Sequence, residues 1–166
     1  MLDLGRTFLQ SVERSPQALA VVDGDVRLTY GEWGERILAV AGGLERLGLR
    51  HGDHLLAILQ NRVEMATLHW ACQFLGVIVT PLNWRAKPDE VEYCLADSAA
   101  RVLVFEAVAA EAVAGSQAAQ GCVRIGVGED VGDIASAAFT SLYDAPALDG
   151  GPRARADDVS LMLYTS

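Results

Sequence analysis

Four short apolar runs dominate the middle of the chain: "HLLAIL" from His54, "VIVTPL" from Val77, "RVLVFE" from Arg101 and "CVRIGV" from Cys122. Segments of helical pattern separate them, and this alternation constrains the fold more than any other feature. Short runs rich in Val, Ile and Leu suit strands covered on both faces, the condition of a parallel sheet. Parallel neighbours need crossovers, so helices must lie between them. Asn61 and Glu64 have capping spacing and open one helix, apolar nearly all round, that ends at Gly76. Pro88-Asp89-Glu90 opens another, with carboxylates at the positive end of its dipole. The Ala-rich stretch from Val108 to Ala119 reads as a third. The expected class is α/β: a largely parallel, doubly wound sheet with helices on both faces from Asp53 to Val127.

The flanks are also legible. Leu4, Phe8, Leu9 and Val12 lie at helical spacing. "ALAVVDGDVRLTY" reads as a β-hairpin about Asp23-Gly24, because a tight hairpin turn needs positive φ. Thr29 and Glu32 form a capping box. The helix behind it places Ile37, Val40, Ala41, Leu44 and Leu47 on one stripe and stops at Gly48. After Val127 the pattern weakens into a surface excursion with one short helix, Ile134 to Leu142. A last apolar strand, Ser160 to Tyr164, then presents Thr165 and Ser166 at its exit. There is no internal repeat at a solenoid period.

The 166 residues suffice for one ordinary domain, and 51% hydrophobic with 21% charged residues is a globular composition. The net charge of −9 argues against sequence-independent binding to nucleic acid and against an anionic membrane surface. It leaves room for a nucleotide, whose phosphates a local cluster of backbone N–H groups can hold. Cys72, Cys94 and Cys122 are odd in number, far apart and set among apolar neighbours. They read as reduced thiols in a cytoplasmic protein. The first residues lack the cationic start and unbroken apolar run of a signal peptide. His69, Gln73 and Pro81 interrupt the only long apolar stretch, which is no membrane span.

Candidate chemistry is sparse. His51, His54 and His69 do not share a face and have no metal-ligand spacing, so no metal site is expected. No Gly-x-Ser-x-Gly elbow occurs. "IGVGEDVG" follows a strand but has Val131 where a dinucleotide fingerprint needs its third glycine, and reads as a solvated loop. "PLNWRAKPDE" sits at the C-terminal end of a parallel strand, where α/β sheets bind ligands. Asn83, Trp84 and Arg85 would project there. The competing expectation is a plain loop in which Arg85 pairs with Glu90 or Asp89.

Taken together, "LTYGEW", "LERLGLRHGDHLLAILQNRVEM", "ACQFLGVIVTPLNWR", "DEVEYCLADSAARVLV" and "DDVSLMLYTS" resemble the adenylate-forming enzyme superfamily. Its members are acyl-CoA synthetases, AMP-dependent ligases, luciferases and peptide-synthetase adenylation domains. In that family Tyr-Thr-Ser continues into a Gly-Thr-Thr-Gly and Pro-Lys loop that holds ATP phosphates. The resemblance therefore implies that Tyr164, Thr165 and Ser166 begin the phosphate loop. It also implies that residues 1–166 are the N-terminal subdomain of a larger domain, inactive alone.

"PLNWR" looks more like acyl-CoA synthetases than peptide-synthetase domains, which tend to read Tyr-Val-Pro-Ile-Asp there. By the same resemblance Arg85 is a candidate CoA contact, the cofactors are ATP, Mg²⁺ and CoA, and the substrate is a small-molecule carboxylic acid, such as a fatty or aromatic acid. No residue of this chain is expected to be catalytic. Lys87 stands where the family often has Ser or Thr, which predicts a weaker helix cap. The apolar C-terminal strand predicts self-association through an exposed edge, or disorder of Arg153 to Ser166 in a monomer. Three rival readings stay open: a peptide-synthetase-like or luciferase-like enzyme, a free-standing nucleotide-binding module, and a non-catalytic interaction domain.

Overall fold

The computed structural model describes residues 3–165. Its centre is a five-stranded parallel sheet of β3 (His54–Ile58), β4 (Ile78–Pro81), β5 (Val102–Glu106), β6 (Val123–Val127) and β7 (Ala137–Ala138), in the order β4-β3-β5-β6-β7. The hairpin of β1 (Leu19–Asp23) and β2 (Val26–Thr29) lies apart from it.

The chain leaves β3 for the edge at β4, then returns past β3 to β5. Right-handed crossovers in opposite directions must place their helices on opposite faces. Accordingly α3 (Val63–Leu75) packs on one face, beside α1 (Leu4–Arg14) and α2 (Tyr30–Arg46), and α4 (Pro88–Ser98) packs on the other. β3 shows the consequence residue by residue. Leu55 and Ala57 enter the α2–α3 core, Leu56 and Ile58 enter the α4 core, and all four are at most 1% exposed. Burying each such leucine stabilises by about 1.5–3 kcal/mol, so the strand needs no polar face.

Among the first four helices, the starts follow local chemistry with one exception. Asp3 accepts the Arg6 N–H at the start of α1 (3.1 Å). Thr29 and Glu32 form the expected box at α2: Thr29 Oγ1 accepts the Glu32 N–H at 3.3 Å, and Glu32 Oε2 accepts the Thr29 N–H at 2.8 Å. α4 keeps half a box, since Glu90 accepts the Lys87 N–H (2.7 Å) but Lys87 offers no acceptor in return. The exception is α3. Asn61 does not cap it; Asp23, in the hairpin, accepts the Val63 N–H at 2.8 Å. The hairpin itself turns one residue later than expected, on Gly24-Asp25, with Asp23 opposite Val26. Gly24, at φ +56°, supplies the positive φ. Leu47 lies beyond the end of α2 and is 38% exposed, so it leaves the expected stripe.

Two larger expectations hold only in part. The Ala-rich stretch is not one helix. It is a 3-10 turn (Ala107–Ala109), α5 (Ala110–Ala114) and α6 (Gln117–Gln120), broken at Gly115-Ser116. Ser116 caps α6 by accepting the Ala119 N–H, while Glu92 on α4 accepts the Ala118 N–H and the Ser116 hydroxyl, both at 2.7 Å. A distant carboxylate thus supports a second helix start where propensity alone would run on. Beyond Val127 there is no α-helix from Ile134 to Leu142. The chain makes a 3-10 turn (Gly132–Ile134), adds β7 beside β6, and makes a second 3-10 turn (Phe139–Asp144).

The final apolar run is not a core strand either. One parallel bridge, Leu161 to Val79, holds it to the open edge of β4, with the Met162 N–H donating to the Val79 carbonyl at 3.1 Å. Polar contacts hold the approach to it. The Arg153 N–H donates to the Phe74 carbonyl (2.7 Å), the Arg153 side chain pairs with Glu45, and Gln73 Nε2 donates to the Ser160 carbonyl (3.3 Å). Val159 and Leu163 remain 63% and 62% exposed.

Candidate functional site

In an open α/β sheet the ligand crevice lies beyond the carboxyl ends of the strands, where the winding reverses. Here the reversal falls between β3 and β5. That position is already filled by protein. Glu106, at the end of β5 and 8% exposed, accepts the backbone N–H of Gln60 and a hydrogen bond from Arg62 Nη1 (3.1 Å). Arg62 Nε in turn donates to Glu64 (2.7 Å). This internal ion network ties the exits of β3 and β5 to the start of α3. Its one sequence signal is an acidic residue directly ending an apolar strand, and reading motifs alone misses it.

The exit of β4 is open by contrast. Asn83 Oδ1 accepts the Arg85 N–H at 2.9 Å, an Asx turn that bends the chain out of the sheet. The exposed Arg85 guanidinium lies over the Trp84 ring, 3.7 Å from its centroid. Among the described residues Arg85 has no ion pair with Glu90 or Asp89. The aromatic face orients the fork and leaves its donors outward. Trp84, Arg85, Lys87, Pro88, Val108 and Glu111 line a cleft of about 320 Å³. Its wall depends on Gly115, where a Cβ would meet the Pro88 ring at 2.8 Å.

Of the three residues expected to begin a phosphate loop, Tyr164 and Thr165 lie among the described residues. Tyr164 turns onto α4, donates its hydroxyl to Asp97 Oδ2 at 2.8 Å and meets Tyr93 edge-on at 5.8 Å. Loss of hydration, and then the Asp97 carboxylate, push its phenol pKa well up, which favours the donor form. Thr165 is exposed. Ser166 lies outside the described residues. Because the bridge at Leu161 is parallel, this segment and β4 advance toward the same end of the sheet, the end that carries Asn83, Trp84 and Arg85.

The glycine loop after β6 is solvated only in part. Glu129 and Asp130 are exposed, whereas Val131 folds back onto Gly126, where a Cβ would lie 2.5 Å from Val131 Cγ2. A three-residue 3-10 turn follows it, not the long helix of a dinucleotide site. His51 Nε2 sits 2.6 Å from Asp158 Oδ2. His54 Nδ1 is buried with no partner among the described residues. His69 is half-buried on α3. Burial pushes the Cys72 thiol far up, so it is no nucleophile. Among the described residues, no group of three His, Cys, Asp or Glu side chains is placed to hold a metal ion. No helix among them is long and apolar enough to cross a membrane.

A family model described as "AMP-binding enzyme" matches residues 8–166. A feruloyl-CoA synthase from Amycolatopsis is 35% identical over 164 residues, which is 98% of this chain and 30% of that protein. A long-chain-fatty-acid–CoA ligase from Mycobacterium tuberculosis is 29% identical over 171 residues, covering 100% of this chain and 33% of the relative. Among solved structures, a fatty acyl CoA synthetase from Mycobacterium tuberculosis superposes with a TM-score of 0.84 at 26% identity, covering 99% of this chain and 32% of that one. The chain spans about a third of the length of the curated relatives it matches.

Proposed function

The chain belongs to the AMP-binding enzyme family, and on that premise we propose that it is the N-terminal subdomain of an ATP-dependent carboxylate–CoA ligase. Such an enzyme joins a carboxylate to the α-phosphate of ATP, releases pyrophosphate, and passes the acyl group from AMP to CoA. The reaction requires phosphate charge to be neutralised by Mg²⁺ and loop donors while the carboxylate is held in line with the α-phosphate. In this reading Thr165 and Ser166 open the phosphate loop, and Tyr164 anchors the loop's stem to α4 through Asp97. Arg85, pre-oriented on Trp84, meets a CoA phosphate at the open exit of β4.

The observation that carries the proposal is the likeness to feruloyl-CoA synthase over 98% of this chain. A second reading has its own support: malpibaldin synthetase from Mortierella alpina is 40% identical over 99 residues, which favours a peptide-synthetase-like acceptor. The two separate in an enzyme of the relatives' length carrying this chain. Carboxylate-dependent pyrophosphate exchange followed by CoA-dependent AMP release supports the ligase. Exchange with no response to CoA supports the second reading. The 166-residue chain alone is expected to give no exchange above blank, since it spans only a third of such an enzyme.

A further inference from the structure

A cleft of about 530 Å³ separates the start of α1 from the segment around Pro152 to Ala156. Arg6, Arg153 and Arg155 line it, with Asp3 as the one carboxylate in its wall. In a protein of net charge −9, three arginines line this one concavity; the carboxylates nearest them are Asp3, Glu45, which pairs with Arg153, and Asp158, which accepts the Arg155 backbone N–H at 2.7 Å. We infer that this cleft binds a soluble phosphate-bearing anion.

The arginines are not consumed by the fold. Arg6 meets Asp3 through Nε only, at 3.4 Å. Arg153 uses Nη1 on Glu45. Arg155 has no ion pair within 4 Å among the described residues. Each therefore keeps donors of its planar fork, the geometry that grips phosphate oxygens in pairs. A phosphate group offers three acceptor oxygens and close to two charges, a better match to several guanidiniums than a carboxylate with two oxygens and one charge.

The walls are fixed. A Cβ at Gly5 would meet Pro152 Cβ at 2.7 Å, so α1 lies directly on the segment, and the Arg153 N–H is tied to the Phe74 carbonyl. That carbonyl is in the last turn of α3, just before the chain enters β4. The cleft thus sits by the amino ends of the strands, whereas Asn83 to Lys87 lie beyond the carboxyl end of β4. It is a separate site, and its occupancy does not depend on the proposed ligase reaction.

Calorimetric titration of the 166-residue chain with inorganic pyrophosphate at low salt tests the inference. Saturable binding is expected, weaker as salt rises. Arg155→Ala should weaken it roughly tenfold or more, the size of one charge-assisted contact, and Arg155→Lys should restore part of the loss. Arg155 is exposed, so neither change threatens folding. Arg27→Ala, an exposed arginine on the hairpin, should bind as the parent does. Vesicles of phosphatidylglycerol form a second arm. Pyrophosphate binding without vesicle retention supports a soluble ligand. Retention that Arg155→Ala abolishes and pyrophosphate does not replace assigns the cleft to lipid headgroups and overturns it. No saturable binding, or an equal loss in Arg27→Ala, also overturns it.

Discussion

Asp23 belongs to two elements at once: it pairs with Val26 to close the β1–β2 hairpin, and its Oδ2 accepts the Val63 N–H that begins α3, at 2.8 Å and 40 residues away. The hairpin, outside the main sheet, is thereby pinned to the helix that leads from β3 to β4.

Removing that acceptor should cost what a helix cap costs. Asp23→Ala is expected to lower stability by about 0.5–2 kcal/mol in urea unfolding, and Asp23→Asn, which keeps an acceptor, by clearly less. Equal losses in the two variants would mean that the carboxylate's charge, not the cap, is what matters.

His69 contributes to the pH dependence near neutrality. Burial holds its pKa below the ordinary 6.5, so the unfolded chain takes up the proton first as pH falls. The stability gained from the neutral imidazole is complete above about pH 6.5 and is lost as pH drops toward the folded-state pKa. The melting temperature should fall between about pH 7.5 and 5.5, with a shallower slope in His69→Phe. Glu32 and Glu92 behave as depressed carboxylates, each held low mainly by a backbone hydrogen bond, from Thr29 and from Ala118. Their contribution is present above the ordinary carboxylate pKa and disappears at more acidic pH, outside the His69 window. An unchanged slope in His69→Phe would contradict the assignment.

Val159, Leu161 and Leu163 alternate along the edge of β4 and stay exposed at 63%, 39% and 62%. An apolar strip beside unpaired backbone groups favours association. Sedimentation velocity of the 166-residue chain should show concentration-dependent self-association, reduced in Leu163→Asp. A monomer at every concentration would contradict this.

Much of this architecture was readable in the sequence because it rests on local or periodic causes. The apolar runs, Gly76, Pro88 and the Thr29–Glu32 box each act within a few residues. What escaped reading acts across the fold. Asp23 replaces Asn61 as a cap, Glu92 supports the start of α6, and Glu106 reaches Gln60 and Arg62 only once β3 and β5 are neighbours. Of the site, the loop position of Arg85 was legible, but its resting place on Trp84 was not. Tyr164 was legible as the end of the last apolar run, but the bond of its hydroxyl to Asp97, 67 residues earlier, was not.

Arg85→Ala, in an enzyme of the relatives' length carrying this chain, should weaken the CoA step more than adenylation. One charge-assisted phosphate contact corresponds to about 1–3 kcal/mol, roughly 5- to 150-fold in apparent CoA affinity. If Arg85 only stacks on Trp84, the change costs about 0.5–1 kcal/mol of stability and touches neither half-reaction selectively. Equal effects on pyrophosphate exchange and on CoA-dependent AMP release would remove Arg85 from the site.

The most direct measurement follows AMP release from that same enzyme against a panel of aromatic and aliphatic carboxylic acids, with and without CoA. The predicted result is carboxylate-dependent pyrophosphate exchange, with AMP released in quantity only when CoA is added. If no acid supports exchange, or AMP release is indifferent to CoA for every acid that does, the chain is not part of a carboxylate–CoA ligase.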